Sequence, residues 1–429
     1  MASQPEIANF RSVLRHRDFR LLWVGQVISQ AGDSFYFLAV LITVNQLTAS
    51  TLAVGLATIS FSLPQLLFGL LAGVLVDRFD RRRIMMVSDL LRGILVLLCL
   101  TVRQADQVWL FYIVGFVLSS ISVFFIPSKS ATIPLLVESR ELLSANALSL
   151  STQTAAMLIG PAAAGFVIGY FGSGPAFVVD SVSFFISAFF ISRMRVHTAP
   201  IKREDTNASM VWRELKEGLR TVRDSRLLKG FLAMLAIVML GVGAINVLWV
   251  PYMDRYFGIG PEGLGILDSI QGAGMLVGAL LVGNLASRFQ RVHLLSGGIL
   301  FISLCLGGIG LAPSFWVVMV LTFLLGVFLP PAQAAGDTLV QVSVPNEKLG
   351  RVNSVTGTAA TAANVVSMAL AAVLGDLMDI RIIYAACGVL GLLSSMLGFV
   401  VLREPEAPST VPAARPAPTG AVPKPTHYK

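Results

Sequence analysis

Gln26, Gln30, Asp33 and Phe37 recur at intervals of four, three and four residues, so they stack along one face of a helix. That helix lies in an apolar run, 19–45, long enough to cross a bilayer. An ionisable group near mid-membrane is costly and is expected to face a cavity. A carboxylate in that position can take up and release a proton, which makes Asp33 the leading candidate for ion coupling. The alternative is a hydrogen bond across helix packing beside Gly32. A second set sits far along the chain, with Asn246 and Trp249 in one apolar run and Asp268 and Gln271 in the next. For Asp268, nearer a helix end, the alternative is a solvated carboxylate at the interface. With Phe111 and Phe328 these residues would give an apolar wall and sparse polar handles, which suits amphipathic cargo of variable shape.

The elements that position them follow from composition. Of 429 residues 55% are hydrophobic and 13% charged, with a mean hydropathy of +0.77. Soluble domains carry about 25% charged residues, so the chain reads as an all-α polytopic membrane protein. Apolar runs of membrane length fall near 19–45, 52–76, 84–102, 108–128, 146–171 and 175–193. Six more follow near 228–256, 263–287, 292–311, 315–335, 352–377 and 382–402. The organisation expected is a basic N-tail 1–18, a six-helix bundle 19–193, a connector 194–227, a second six-helix bundle 228–402 and a proline-rich tail 403–429. The tail lacks apolar periodicity and reads as disordered. In the connector, Trp212, Leu215, Leu219 and Val222 recur at helical intervals among charges, the pattern of an amphipathic helix at the membrane interface. The basic stretch Arg11–Arg20 would lie on the anionic inner leaflet.

Of the 32 Lys and Arg residues, all but Arg103, Arg255 and Arg381 fall on one side of this topology, with Arg92 counted near a helix end. That bias predicts both termini in the cytoplasm and a multi-pass protein of the cell's inner membrane. It also accounts for the net charge of +8 without nucleic acid. Cys99, Cys305 and Cys387 lie in apolar runs and suggest no disulfide framework. The four histidines have no metal-ligand spacing, and no phosphate-binding loop, paired carboxylates or nucleophile motif occurs. No enzyme activity, cofactor or metal is expected, and a monomer is.

One loop stands out, Gly73-Val-Leu-Val-Asp77-Arg78-Phe-Asp80-Arg81-Arg82-Arg83, placed between two apolar runs. A weaker copy at 283–291 matches 73–81 at five of nine positions, with Ser287 in place of Asp77; Asn146 and Asn353 repeat at nearly the same offset. Repeated halves with a site between them are a transporter architecture. Gly73, Leu75, Asp77, Arg78, Arg81 and Arg82 resemble the loop signature of the major facilitator superfamily, with Asp80 where a second glycine is usual. The resemblance implies twelve helices in two pseudo-symmetric six-helix bundles. It makes Gly73, Asp77, Arg78, Arg81 and Arg82 a cytoplasmic latch between the halves, alongside plain anchoring of the arginines. Gly160, Pro161 and Gly165, with Ala164 for one glycine, resemble the fifth-helix signature of the antiporter branches, where small residues and a bend suit helices that rock. The fourth run, 108–128, holds no arginine, where drug:proton antiporters carry one.

Arg17-Asp18-Phe19-Arg20, the helix that follows and Phe125-Ile126-Pro127-Ser128-Lys129 resemble the branch containing macrolide-efflux and enterobactin-type exporters. That branch implies proton-driven export of amphipathic, drug-like molecules from the cytoplasm by alternating access. The alternatives are a dedicated exporter of one endogenous metabolite, such as a siderophore, or a lipid translocator. A membrane enzyme or receptor is disfavoured by the missing motifs and by the lack of a large extramembrane domain.

Overall fold

The computed structural model describes residues 10–76, 78–196 and 208–402, with the side chains of Val74 and of 208–212 left undescribed. A short helix α1 (Phe10–Val13) precedes α2 (Arg17–Thr48), α3 (Thr51–Val76), α4 (Arg81–Leu98), α5 (Trp109–Leu136), α6 (Leu142–Phe171) and α7 (Ser173–Ser192). After the connector helix α8 (Ala208–Asp224) come α9 (Arg226–Phe257), α10 (Pro261–Arg288) and α11 (Arg291–Gly310). The chain ends with α12 (Phe315–Ser343), α13 (Asn346–Leu377) and α14 (Ile380–Val401). Among the described residues, twelve of these are long and apolar enough to cross a membrane, namely all but α1 and α8.

They form two bundles with one packing plan. In the first, α2 packs on α6 and α7, α3 on α5, and α4 on α5 and α7; in the second, α9 packs on α13 and α14, α10 on α12, and α11 on α12 and α14. Each pairing maps onto its counterpart when the halves are exchanged. The bundles meet through α6 against α10 and through α3 against α13, which the same exchange interconverts.

Two expected helix ends are too short. α5 runs to Leu136 and α12 to Ser343, each eight residues past the apolar run. Polar side chains end the apolar signal there, but the helix continues, and the hydroxyls are satisfied by its own carbonyls. Ser128 and Thr132 donate to Phe124 O and Ser128 O, and Thr338 and Ser343 to Ala334 O and Leu339 O.

Starts are set by caps. Asp80 is an extended N-cap whose side chain accepts from Arg83 N at 3.2 Å, so it starts α4 instead of forming the left-handed turn that its glycine-like position suggests. Ser225 and Asp379 cap α9 and α14 in the same way. Gly258 ends α9 at φ 60°, a conformation that costs glycine nothing.

Two amphipathic segments place part of their apolar faces against protein. Val222 of α8 is buried and Leu215 partly so, in a cluster with Leu228, Leu339 and Val352, while Glu217 pairs with Arg351; Leu219 stays exposed. Val13 of α1 is fully buried against the first bundle, and Ser12 and His16 both bond Glu141, the latter at 2.6 Å. Trp212 as a side chain and the tail 403–429 lie outside the described residues.

Candidate functional site

With twelve spans between them, Phe10 and Leu402, the first and last described residues, fall on one face of the bundles, here called the terminal face; the other is the remote face. α2 presents two opposed surfaces. Ile28, Ala31 and Phe35 join Val178, Val179 and Val182 of α7 in a shallow, wholly apolar groove. Half a helical turn away, Gln26, Gln30, Asp33 and Phe37 line the opposite face of α2. Asp33 and Phe37 are exposed there, and Phe37 packs its ring on Phe61 of α3 at 5.4 Å. Gln26 and Gln30 line a cleft with Trp23, Lys129, Ser149 and Thr152, and Gln26 Nε2 and Gln30 Oε1 have no hydrogen-bond partner.

From the second bundle, Asn246 is exposed and Trp249 half-buried, its Nε1 donating to Asp268 Oδ1 at 3.0 Å. Asp268 is therefore held by a partner inside the protein and is not a solvated interfacial carboxylate. Gln271 is half-buried one turn on, with its backbone against Gly326 of α12. Two expected wall residues are elsewhere. Phe111 is fully buried against Phe177 of α7, and Phe328 stacks on Phe301 of α11 at 4.5 Å, so both rings serve packing within a bundle. Periodicity tells which residues share a face, not which face is inside.

The bundles are tied at the remote face. Asp376, near the end of α13, accepts from Thr51 N at 2.7 Å, Leu52 N at 3.1 Å and Ser50 Oγ at 2.6 Å, capping α3 from the other bundle. Arg255 reaches Asp376 at 3.5 Å and donates to Ala49 O at 2.7 Å, while Asn45 donates to Asp254 at 2.8 Å. Beside them Gly165 and Gly265 face each other across α6 and α10. A Cβ on Gly265 would sit 3.1 Å from Gly165 Cα, and Ala162 N donates to Ser269 Oγ at 3.1 Å. Gly160 instead lies against Ser34 of α2, and the backbone of Pro161 packs on Gly265. Just outside the spans, the Tyr256 hydroxyl and Arg381 N both donate to Asp379, holding its carboxyl below the usual carboxylate range.

At the terminal face the backbones of α3, α10 and α13 each have an open position. A Cβ on Gly73, Gly283 or Gly357 would meet no atom within 4 Å. The loop after α3 does its visible work inside its own bundle, where Arg82 donates to Ile191 O at 3.1 Å and to Ser192 O, at the C-terminus of α7. Arg81 is buried, Arg78 is exposed, and Asp77 lies outside the described residues.

Asp33 is not the sole carboxylate near mid-helix in the first half. Asp89 of α4 and Asp180 of α7 are both fully buried, and Arg92 reaches inward to Asp89 at 3.5 Å with its guanidinium over the Phe125 ring. Arg92 is thus an interior residue and not a helix-end anchor. Lys129, carried by the extended part of α5, lies near enough to Asp33 for their charges to interact. The fourth helix therefore does bring a cation to the cavity wall. The remote tie was missed as well, because its members come from four separate helix ends.

Comparison with known proteins agrees with this geometry. Macrolide efflux protein A of Streptococcus pyogenes is 26% identical over 367 residues, 85% of this chain and 90% of that one. The uncharacterized MFS-type transporter YfiS of Bacillus subtilis is 30% identical over 393 residues, covering 89% and 91%. A putative bacilysin exporter of Bacillus subtilis is 29% identical over 339 residues, covering 78% and 83%. Among solved structures, a bacterial homologue of the iron transporter ferroportin in an inward-facing state superposes with a TM-score of 0.70 at 16% identity, over 89% of this chain and 98% of that one. A mutant of the nucleoside transporter NupG gives 0.71 at 11% identity, over 92% and 100%; at such identities the likeness is one of fold. The model of the family described as transmembrane secretion effector matches residues 9–423, and the chain belongs to that family of major facilitator transporters, membrane carriers and not enzymes.

Proposed function

We propose that this protein exports amphipathic, drug-like molecules from the cytoplasm by alternating access, with proton entry through Asp33 as the driving step. The observation that carries the reading is the asymmetry between the two faces. The bundles are bonded at the remote face, whereas at the terminal face nothing packs on Gly73, Gly283 or Gly357, and Asp33 is exposed at mid-span. The bias of Lys and Arg toward the terminal side supports a cytoplasmic assignment for that face, so this conformation is the inward-open one. The ferroportin homologue of similar fold was also captured facing inward. Efflux supports the direction, since that is what the macrolide-efflux and bacilysin-exporter relatives are named for.

In this reading the substrate enters from the cytoplasm between Phe37, Gln30 and Asn246, with Gln26, Trp249, Asp268 and Gln271 nearby. Gly160, Pro161 and Gly165 form the bearing on which the halves rock. The loop at Gly73, Asp77, Arg78, Arg81 and Arg82 closes the cytoplasmic side in the alternate state. The 194–227 connector links bundles 19–193 and 228–402, and the protein works as a monomer in the inner membrane.

The test is accumulation of unrelated amphipathic compounds, a macrolide among them, in cells expressing the wild-type chain or Asp33→Asn, with and without an uncoupler. Reduced accumulation of several compounds, abolished by uncoupler and by the substitution, is expected. Undiminished efflux by the variant would remove Asp33 from the mechanism. Transport of a single compound would favour a dedicated metabolite exporter, the role in which the bacilysin-exporter relative is named.

A further inference from the structure

From the cavity inward, the first bundle carries three carboxylates, Asp33 exposed at the cavity and Asp89 and Asp180 buried, and two cations, Lys129 at the cavity side and Arg92 buried. α3 and α6 contribute no charged residue to it. If all five were ionised, one negative charge would remain uncompensated in a low-dielectric space, where an isolated ion is strongly disfavoured. The geometry shows where the shortfall falls. Arg92 is committed to Asp89 at 3.5 Å and to the faces of Phe125 and Phe184, while Lys129 stands on the cavity side near Asp33. Asp180 is fully buried, and neither of its carboxyl oxygens has a hydrogen-bond partner. Its surroundings are Asp33 and Tyr36 from α2, Asp89 and Arg92 from α4, and Cys99 from the turn after α4. Asp180 reaches α2 at Gly32, where a Cβ would come within 2.8 Å of its Oδ1. The glycine preceding Asp33 therefore lets a buried carboxyl lie against the backbone next to the cavity carboxylate.

We propose that Asp180 holds one exchangeable proton inside the first bundle, and that Asp33 is the cavity-side carboxylate through which that proton is loaded and discharged. Loading passes a proton from water to Asp33 and on to Asp180, so the interior becomes neutral and no other bond is made or broken. The coupled ion is then stored out of contact with the substrate. This rests on the reading that proton entry drives export.

Infrared difference spectroscopy on the full chain in liposomes tests it through the C=O band of a protonated carboxyl at neutral pH. The band is expected in the wild type and absent in Asp180→Asn. In Asp33→Asn it should persist, because Arg92 stays with Asp89 and Lys129 stays in the cleft beside Gln30, so neither cation reaches Asp180, but it should exchange deuterium several-fold more slowly. Asn copies the shape of a neutral carboxylic acid, so Asp180→Asn is expected to fold and insert normally; failure to fold would contradict a stored proton. Loss of the band in Asp89→Asn but not in Asp180→Asn would overturn the assignment. So would its discharge by sodium at constant pH, which would make this a cation site. Unchanged exchange in Asp33→Asn would overturn the loading route. Ethidium efflux from the same vesicles separates this from the coupling reading: uncoupler-insensitive efflux with the band intact defeats the coupling alone.

Discussion

Replacing Asp376 by Ala removes the strongest tie between the bundles at the remote face. Its carboxylate takes two first-turn amides and one hydroxyl from α3, the work of an N-cap done from the other bundle. Losing a cap costs about 0.5–2 kcal/mol. The pair with Arg255 adds at most about 1 kcal/mol, because both side chains are about a third exposed. Arg255 is not stranded by the change, since it keeps Ala49 O at 2.7 Å. The conformation with a closed remote face should thus lose about 0.5–3 kcal/mol relative to the alternate one, a shift of roughly 2- to 150-fold in their ratio. Spin labels at Phe171 and Leu377, exposed ends of α6 and α13 in opposite bundles, would report it as growth of a long-distance population. The three native cysteines are buried and leave labelling to introduced ones. An unchanged distance distribution in Asp376→Ala would refute the argument that this cap holds the remote face shut.

Trp249→Phe should leave the half-buried Asp268 without its donor, at a cost of about 1–3 kcal/mol, read as a lower unfolding temperature in detergent; an unchanged temperature would mean that water replaces the indole. Gly265→Val places atoms against Pro161 and Gly165 at the α6–α10 contact, and overpacking there costs about 1–3 kcal/mol. The Phe171–Leu377 label pair should move apart as in Asp376→Ala. The Asp379 carboxyl is held low by Tyr256 and Arg381 N, so its capping of α14 is present above the ordinary aspartate value of about 3.9 and is lost as pH falls through the lower folded value. Hydrogen exchange in the first turn of α14 should speed up on acidification in the wild type, and Asp379→Asn should remove that pH dependence.

What the sequence made legible was whatever repeats or persists along the chain. Twelve apolar runs and the two copies of the Gly73 loop carry the fold, because hydrocarbon thickness and backbone satisfaction leave a membrane segment few choices. That Gln26, Gln30, Asp33 and Phe37 share one face of α2 was equally readable, from helical geometry. Residues whose meaning depends on which neighbour they meet were not. Asp89 and Asp180 look like helix-end carboxylates until α4 and α7 are packed together around Arg92. Lys129 falls one residue past the apolar run because Ser128 and Ser130 interrupt that signal, although the helix does not stop there. Phe111 and Phe328 were placed by type, and an aromatic ring suits a bundle core as well as a cavity wall. Asn45, Ser50, Asp254 and Asp376 are each ordinary polar helix ends, and only the fold makes them a gate.

Whether the two faces open in alternation is decided by measuring both in one sample. One label pair would span the remote face at Phe171 and Leu377, and the other the terminal face at Leu143 and Phe289, exposed ends of α6 and α10. Reciprocal change is expected: conditions or variants that lengthen the first distance, Asp376→Ala among them, shorten the second. Distances that lengthen together, or a terminal face that never closes, would contradict alternating access.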